Sequence, residues 1–209
     1  MRLYKAIALL LTYPQQDWLQ SVGELRAMVS AETGRGRRAG RRLEGLFTYL
    51  ERGPLIDLQE AYVETFDRNA AHSLHVFEHR MGDSRERGEA MARLVEEYRR
   101  FGLEPTSREL PDFLPLFLEF LSLIPPKDAQ GRLADIDDVV QILRHRLADT
   151  GSPYVGAFEA LLTLTSRSAL TPILSTMRGN RDRSSMRWTP ASDFAGSGGS
   201  GDARHDSRG

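Results

Sequence analysis

Apolar residues recur at intervals of three and four positions along nearly the whole chain. This spacing puts apolar side chains on one face of an α-helix, and no convincing segment alternates apolar and polar residues as a half-buried strand does. The sequence therefore predicts an all-α protein, a single-domain helical bundle. The clearest examples are Trp18, Val22, Leu25 and Val29, and Leu43, Leu46, Phe47 and Leu50.

Length and composition predict one folded domain followed by a tail. The chain has 209 residues, of which 40% are hydrophobic, and a domain of this size buries about 70% of its unfolded surface. From Arg178 onward the chain is polar and rich in arginine and glycine, with too little apolar surface to offset the entropy of ordering. We expect an all-helical domain over residues 1–170 and a flexible, largely disordered tail over residues 171–209.

Proline and glycine mark the expected helix boundaries. Pro54 begins one helix, and Gly102 ends another that covers residues 85–101. Residues 111–123 are apolar on nearly every side and predict a short helix buried at the centre of the fold. Residues 128–147 predict one long amphipathic helix.

Charge and cysteine content exclude several functions. The formal net charge is -1 and cysteine is absent, so the chain lacks a general attraction for nucleic acid and has no thiol ligand or thiol nucleophile. The apolar run over residues 6–11 is too short to span a bilayer. We expect a cytoplasmic protein that does not bind nucleic acid and does not insert stably into a membrane.

A basic run without acids covers the region from Arg35 to Arg42 and contains five arginines. It is compatible with a solvated loop or helix start. It is also compatible with a surface that meets an acidic partner. The members are Arg35, Arg37, Arg38, Arg41 and Arg42.

Residues 75–79 read His-Val-Phe-Glu-His and match the H-x-x-E-H pattern of inverted zinc peptidases. Such a site needs a third ligand, and nothing in the sequence marks Asp112, Glu119 or Asp135 for that task. The other interpretations of the segment are histidines in a structural polar network and histidines that contact a partner. We predict no catalytic residue, no metal and no other cofactor, and keep a metal-dependent hydrolase as an alternative.

Acidic residues are concentrated in two blocks. Residues 53–83 contain six acids against two arginines, and residues 104–126 contain four acids against one arginine. If the two blocks adjoin, as short connections in a bundle favour, they form an apolar groove with a rim of carboxylates. Such a groove suits a basic amphipathic helix. The alternative is that Tyr62, Phe66 and Phe117 are ordinary core residues.

The segment from Gly82 to Gly88 predicts a turn followed by a helix. Gly82 permits a left-handed backbone, and Asp83 or Ser84 caps the helix that begins near Arg85. The cap would place Arg85 and Arg87 where they pair with a partner's acids or hold the preceding loop.

These blocks together resemble one family, the NarJ-type assembly chaperones of respiratory nitrate reductase, also called delta subunits, within the wider group of molybdoenzyme maturation chaperones. The resemblance extends over about residues 3–164. The matching pieces are Tyr62-x3-Phe66-Asp67, Ser73-Leu74-His75-x-Phe77-Glu78-His79, Gly82-Asp83-Ser84-Arg85-x-Arg87-Gly88, and Glu109-Leu110-Pro111-Asp112-Phe113-Leu114-Pro115 with Leu118-Glu119-Phe120-Leu121. Met81 and Phe113 stand where relatives commonly have His.

The resemblance implies a chaperone and not an enzyme. Its partner would be the basic amphipathic N-terminal segment of the apo catalytic (alpha) subunit of nitrate reductase. Binding would permit molybdenum cofactor insertion before membrane docking, with possible contact to the cofactor machinery. A scaffold that does not release its partner is a further alternative. The implied peptide-binding residues are Tyr62, Phe66, Asp67, His75, Phe77, Glu78, His79, Gly82, Asp83, Arg85, Arg87, Asp112 and Glu119.

Overall fold

The computed structural model describes residues 2–82, 84–105, 109–165 and 186–188. Within these residues the fold is almost entirely helical, as the periodicity predicts. The α-helices are α1 Arg2–Leu10, α2 Gln16–Leu19, α3 Val22–Ser30, α4 Gly34–Arg52, α5 Leu55–Tyr62, α6 Glu78–Met81, α7 Arg85–Arg100, α8 Leu114–Leu123, α9 Pro126–Asp135, α10 Asp137–Asp149 and α11 Val155–Leu164. A π-helix Val63–Asp67 continues α5, and a 3-10 helix Ala70–His72 follows it.

Helix α8 confirms the prediction of a buried central helix. Every side chain from Leu114 to Leu121 is buried, including the carboxylate of Glu119. The helix begins later than residue 111 because Phe113 is extended, with φ -65° and ψ 119°. Helix α7 also confirms its prediction, since it ends just before Gly102, which has φ 73°.

The prediction of one long helix over residues 128–147 is wrong. Helix α9 ends at Asp135 and α10 begins at Asp137, with Ile136 between them at φ -112° and ψ 13°. Ile136 is buried, so the apolar spacing continues across a backbone break. Asp137 and Asp138 then lie in the first turn of α10, where acids favour a helix N-terminus.

One apolar cluster runs from Leu3 to Leu164 and joins all the longer helices. Helix α1 packs against α8, while α4 packs against both α3 and α11. The approach of α4 to α11 is close at Gly156, where an added Cβ atom would lie 2.4 Å from the carbonyl oxygen of Arg42. The basic run from Arg35 to Arg42 begins α4, so the helix-start interpretation of that run is confirmed.

An aromatic cluster lies under the π-helix. The ring of Phe66 is 5.0 Å from that of Tyr62 and 4.9 Å from that of Tyr154. The Tyr62 hydroxyl donates a 3.1 Å hydrogen bond to the carbonyl of Leu11, and Tyr13 packs edge-on against Tyr62 at 5.6 Å. The cluster therefore fixes the π-helix to the turn after α1.

Two short strands pair in parallel, β1 Leu103–Pro105 and β2 Met186–Trp188. Apart from β2, the tail predicted to be disordered over residues 171–209 lies outside the described residues. In the part of the chain that the structure describes, no helix combines the length and apolar character that a membrane span requires.

Candidate peptide-binding site

The two sequence blocks that carry the motifs meet in space. His75 and Phe113 form an isolated antiparallel bridge. On either side of it, the Val76 amide donates to the Asp112 carbonyl at 3.0 Å, and the Leu114 amide donates to the Leu74 carbonyl at 2.8 Å. The segment before α6 is therefore attached to the turn before α8. The sequence left open whether these two blocks adjoin, and the structure shows that they do.

Asp112 is the centre of this attachment, and its side chain has no exposed surface. One carboxylate oxygen accepts a 3.1 Å hydrogen bond from the Phe77 amide and lies 3.5 Å from Nη2 of Arg87. The other oxygen lies 3.4 Å from Nδ1 of His75. Asp112 thus joins α7, the segment before α6 and the turn before α8.

The surroundings of Asp112 favour its charged form. Burial raises the pKa of the carboxyl, but the contact with His75, the charge of Arg87 and the Phe77 amide together outweigh burial and hold the pKa below its ordinary value. Asp112 is therefore a buried structural anion whose side-chain partners, His75 and Arg87, come from two separate motifs.

Polar contacts also fix Glu78 and His79. The Ser73 hydroxyl donates to Glu78 at 2.5 Å. His79 donates through Nε2 to the Ser73 carbonyl at 2.7 Å, while its Nδ1 lies 3.3 Å from the Arg146 guanidinium. Arg146 also donates to the Ala71 carbonyl at 2.7 Å. This arrangement is the structural polar network that the sequence offered as one interpretation.

The positions of His75 and His79 do not fit the zinc site that the hydrolase alternative requires. Helix α6 begins at Glu78, so His75 precedes the helix and does not share a face with His79. The two imidazoles point to different partners, Asp112 and the Ser73 carbonyl. Among the described residues, no three His, Asp or Glu side chains converge as a metal site requires.

The turn before α7 is built as its residues predict. Gly82 has φ 54°, and the Ser84 hydroxyl accepts from the Arg87 amide as the N-cap. Asp83 lies outside the described residues. The two arginines differ in position, since the Arg85 side chain is 94% exposed and that of Arg87 is 12% exposed. Arg87 holds the preceding segment, while Arg85 is available to a partner.

The predicted open groove requires a correction for this conformation. Its apolar wall is closed because the aromatic side chains pack into the core, and two of the expected rim carboxylates are inside as well. The buried members of the predicted site are Tyr62, Phe66, Phe77, Asp112 and Glu119. Contact with a peptide stays a prediction for the accessible members, which are Asp67, His75, Glu78, His79, Gly82, Arg85 and, in part, Arg87.

An exposed row of acids on α5 and the π-helix emerges instead, which we call the acidic stripe. Asp57, Glu60, Glu64 and Asp67 are all exposed, and their spacing of three, four and three places them along one side of the helix. Glu64 pairs with Arg68 at 3.2 Å. The helical spacing of these acids is the sequence signal that could have predicted the stripe, whereas their number alone predicted only an acidic block.

Two exposed apolar side chains belong to α5 or contact it, the helix that carries the first acids of the stripe. Ile56 is 61% exposed and Tyr13 is 40% exposed. Ile56 directly precedes Asp57, the first acid of the stripe. Tyr13, in the turn after α1, packs on Tyr62 of α5. Ile56 lies one turn before Glu60, so the stripe has an apolar contact point beside its carboxylates.

A family model described as nitrate reductase delta subunit matches residues 36–160. The chain belongs to the nitrate reductase delta subunit family. The match includes every predicted site residue from Tyr62 to Glu119 and the whole acidic stripe.

Several similar proteins are named as assembly chaperones. The probable nitrate reductase molybdenum cofactor assembly chaperone NarW of Escherichia coli K12 is 34% identical over 187 residues, which cover 90% of this chain and 78% of the relative. NarJ of the same strain is 37% identical over 160 residues, or 77% and 68% of the two chains. The probable NarJ of Bacillus subtilis 168 is 31% identical over 159 residues, or 76% and 85%.

Proposed function

We propose that the protein is a chaperone that binds the basic amphipathic N-terminal segment of the apo catalytic subunit of a nitrate reductase. Binding would hold that subunit ready for molybdenum cofactor insertion, before the enzyme docks at the membrane. Membership of the delta subunit family and the names of the relatives support the chaperone role. The contact surface is argued from this chain's own residues.

The acidic stripe is the single observation that carries the proposed contact. Asp57, Glu60 and Asp67 are exposed and make no ion pair within the described ranges. Asp57 and Glu60 are three residues apart, where like charges repel, so a basic ligand relieves this repulsion. Ile56 and Tyr13 supply the apolar contacts that an amphipathic helix needs on its other face.

Such a contact suits temporary binding. Exposed charge pairs are weak and screened by salt, and two apolar contact points add a limited area. A micromolar complex corresponds to about 8 kcal/mol, and weak contacts of this kind keep the affinity at or below that level. Release then follows when the client folds and withdraws its segment, without nucleotide hydrolysis.

The buried residues of the predicted site have a supporting role in this proposal. The Tyr62 and Phe66 rings fix the π-helix that carries Asp67. Asp112 fixes the segment that presents His75 and Glu78 at half-exposed positions. Their substitution would disturb binding through the fold, whereas substitution of the stripe acids would disturb binding alone.

The test is calorimetric titration of the full chain with a basic amphipathic peptide from the client's N-terminus. The variant Asp57→Asn, Glu60→Gln, Asp67→Asn removes the free charges of the stripe with little change in shape. We expect its affinity to fall by about tenfold or more, because each lost charge contact contributes up to about 1 kcal/mol. Wild-type affinity should also fall as salt rises.

The matched control removes three exposed acids from other helices. It combines Glu24→Gln, Glu96→Gln and Asp149→Asn, and we expect it to bind like the wild type. Equal affinity of the stripe variant and the wild type would refute the contact surface. Presence of the chain in mature, purified reductase would favour the scaffold that does not release its partner.

A further inference from the structure

The solvent side of α4 carries a concentrated positive charge that the proposed function does not use. Its five arginines, at positions 35, 37, 38, 41 and 42, are all exposed. At about 100° per residue they occupy roughly 160° of the helix circumference. The buried side of the same helix contains Ala39, Leu43, Leu46, Phe47 and Leu50. We call the five arginines the basic face.

Among the described residues, no carboxylate forms an ion pair with the centre of the basic face. Arg37, Arg38 and Arg41 make no ion pair with any residue that the structure describes. Arg42 lies 3.5 Å from Glu159, but Glu159 is shared with Arg144 at 3.8 Å. The basic face therefore presents a net positive surface to solvent.

The acids of α4 itself are already engaged. Glu44 and Glu51 both pair with Arg26 of α3. These pairs lie between the two helices, to one side of the basic face. The helix thus directs its carboxylates towards its neighbour and its arginines towards solvent.

The arrangement is unfavourable for the isolated helix. Cations in the first turns oppose the positive end of the helix dipole. Arg37 and Arg41, like Arg38 and Arg42, are four residues apart, where like charges repel. These side chains are all exposed, so folding does not depend on their burial. An anionic partner would remove both penalties.

We propose that the basic face docks the protein on an anionic lipid surface. The exposed large apolar side chains are elsewhere in the described residues, at Tyr13, Ile56, Leu110, Leu123 and Ile142. The face thus lacks the apolar centre of a specific protein interface and the aromatic rings that stack on nucleic-acid bases. A convex row of charge suits a diffuse negative surface, where each arginine contributes about fivefold in partitioning.

The contact would be peripheral and reversible. It rests on charge alone, so it neither inserts a helix nor survives high salt. The formal net charge of -1 does not oppose it, because charges beyond about 8 Å from the surface are largely screened at physiological salt. Such docking would place the protein, with any bound client, at the membrane without a membrane anchor.

The experiment is co-sedimentation of the full chain with phosphatidylglycerol-containing vesicles and with pure phosphatidylcholine vesicles. The test variant combines Arg37→Gln, Arg38→Gln and Arg41→Gln. The control combines Arg93→Gln, Arg99→Gln and Arg100→Gln, three exposed arginines of α7, and so has the same net charge. We expect salt-sensitive binding to the anionic vesicles only, a loss of about a hundredfold in the test variant, and little loss in the control.

Three results would overturn the proposal. They are an absence of wild-type binding at low salt, retention of binding in the test variant, or an equal loss in both variants. Binding to an oligonucleotide or to polyglutamate without vesicle binding would assign the face to another anion. Titration of the same variants with the client peptide separates this inference from the proposed function, because peptide affinity should stay unchanged.

Discussion

Arg87 and Asp112 form an ion pair in the interior, with Nη2 of Arg87 3.5 Å from Oδ2 of Asp112. Arg87 lies in the first turn of α7, and Asp112 lies in the turn before α8. The same carboxylate oxygen accepts from the Phe77 amide. One buried carboxylate therefore holds together three separate segments of the chain.

Loss of that carboxylate should destabilise the fold. Asp112→Ala removes the anion near Arg87 and leaves the Phe77 amide without its acceptor, so we expect a loss of about 3 kcal/mol in the free energy of unfolding. Urea unfolding followed by circular dichroism measures this loss. Arg85→Ala, at a side chain 94% exposed, should change stability by less than about 0.5 kcal/mol. Similar losses in both variants would contradict the role of the pair.

The stabilising effect of Asp112 should depend on pH. Its folded-state pKa lies below the ordinary value of 3.8, so the ionised form stabilises the fold. This stability is fully present above the unfolded-state pKa and disappears as pH falls through the lower folded-state pKa. The difference in urea midpoint between wild type and Asp112→Asn should therefore shrink on acidification from about pH 7 to about pH 3. A difference that grows on acidification would contradict the predicted lowering of the Asp112 pKa in the folded state.

The close approach of α4 and α11 should make Gly156 intolerant of a side chain. Gly156→Ala places a Cβ atom 2.4 Å from the Arg42 carbonyl oxygen, which forces the helices apart at a cost of about 1–3 kcal/mol. Gly131→Ala in α9 meets nothing within 4 Å and should stabilise by about 0.5–1 kcal/mol. Thermal unfolding of the two variants tests this opposite response.

Two tyrosines of the aromatic cluster should respond differently to loss of the hydroxyl. Tyr62 donates to the Leu11 carbonyl, so Tyr62→Phe should cost about 1 kcal/mol. The Tyr154 hydroxyl is buried without a hydrogen-bond partner in the described structure. Tyr154→Phe should therefore leave stability unchanged or increase it. Chemical denaturation of both variants gives the comparison, and a larger loss at Tyr154 would disprove it.

Helical periodicity predicted the class of fold, and the all-round apolar character of α8 predicted its burial. The break at Ile136 was missed because the apolar spacing continues across it and because neither Gly nor Pro marks it. Acids at positions 137 and 138 were the available signal of a new helix start. The π-helix Val63–Asp67 left no recognisable sign, since one extra residue per turn hardly alters a short apolar pattern.

The candidate site was harder to predict than the fold. The four-residue spacing of Tyr62 and Phe66 indicates the apolar side of a helix. The spacing is the same whether other helices cover that side or leave it open as a groove. The burial of Asp112 follows from the positions of His75 and Arg87, which tertiary structure alone brings together. Local chemistry was more predictable, as the Gly82 turn and the Ser84 cap show.

The packing of α1 on α8 has a consequence for biosynthesis. At about 5–20 residues per second, α8 leaves the ribosome roughly ten seconds after α1. Until then the apolar side of the first helix, with Leu3, Ile7 and Leu10, lacks the surface that covers it in the finished fold. The nascent chain thus passes through a period of exposed hydrophobic surface, the hazard from which chaperones protect other proteins.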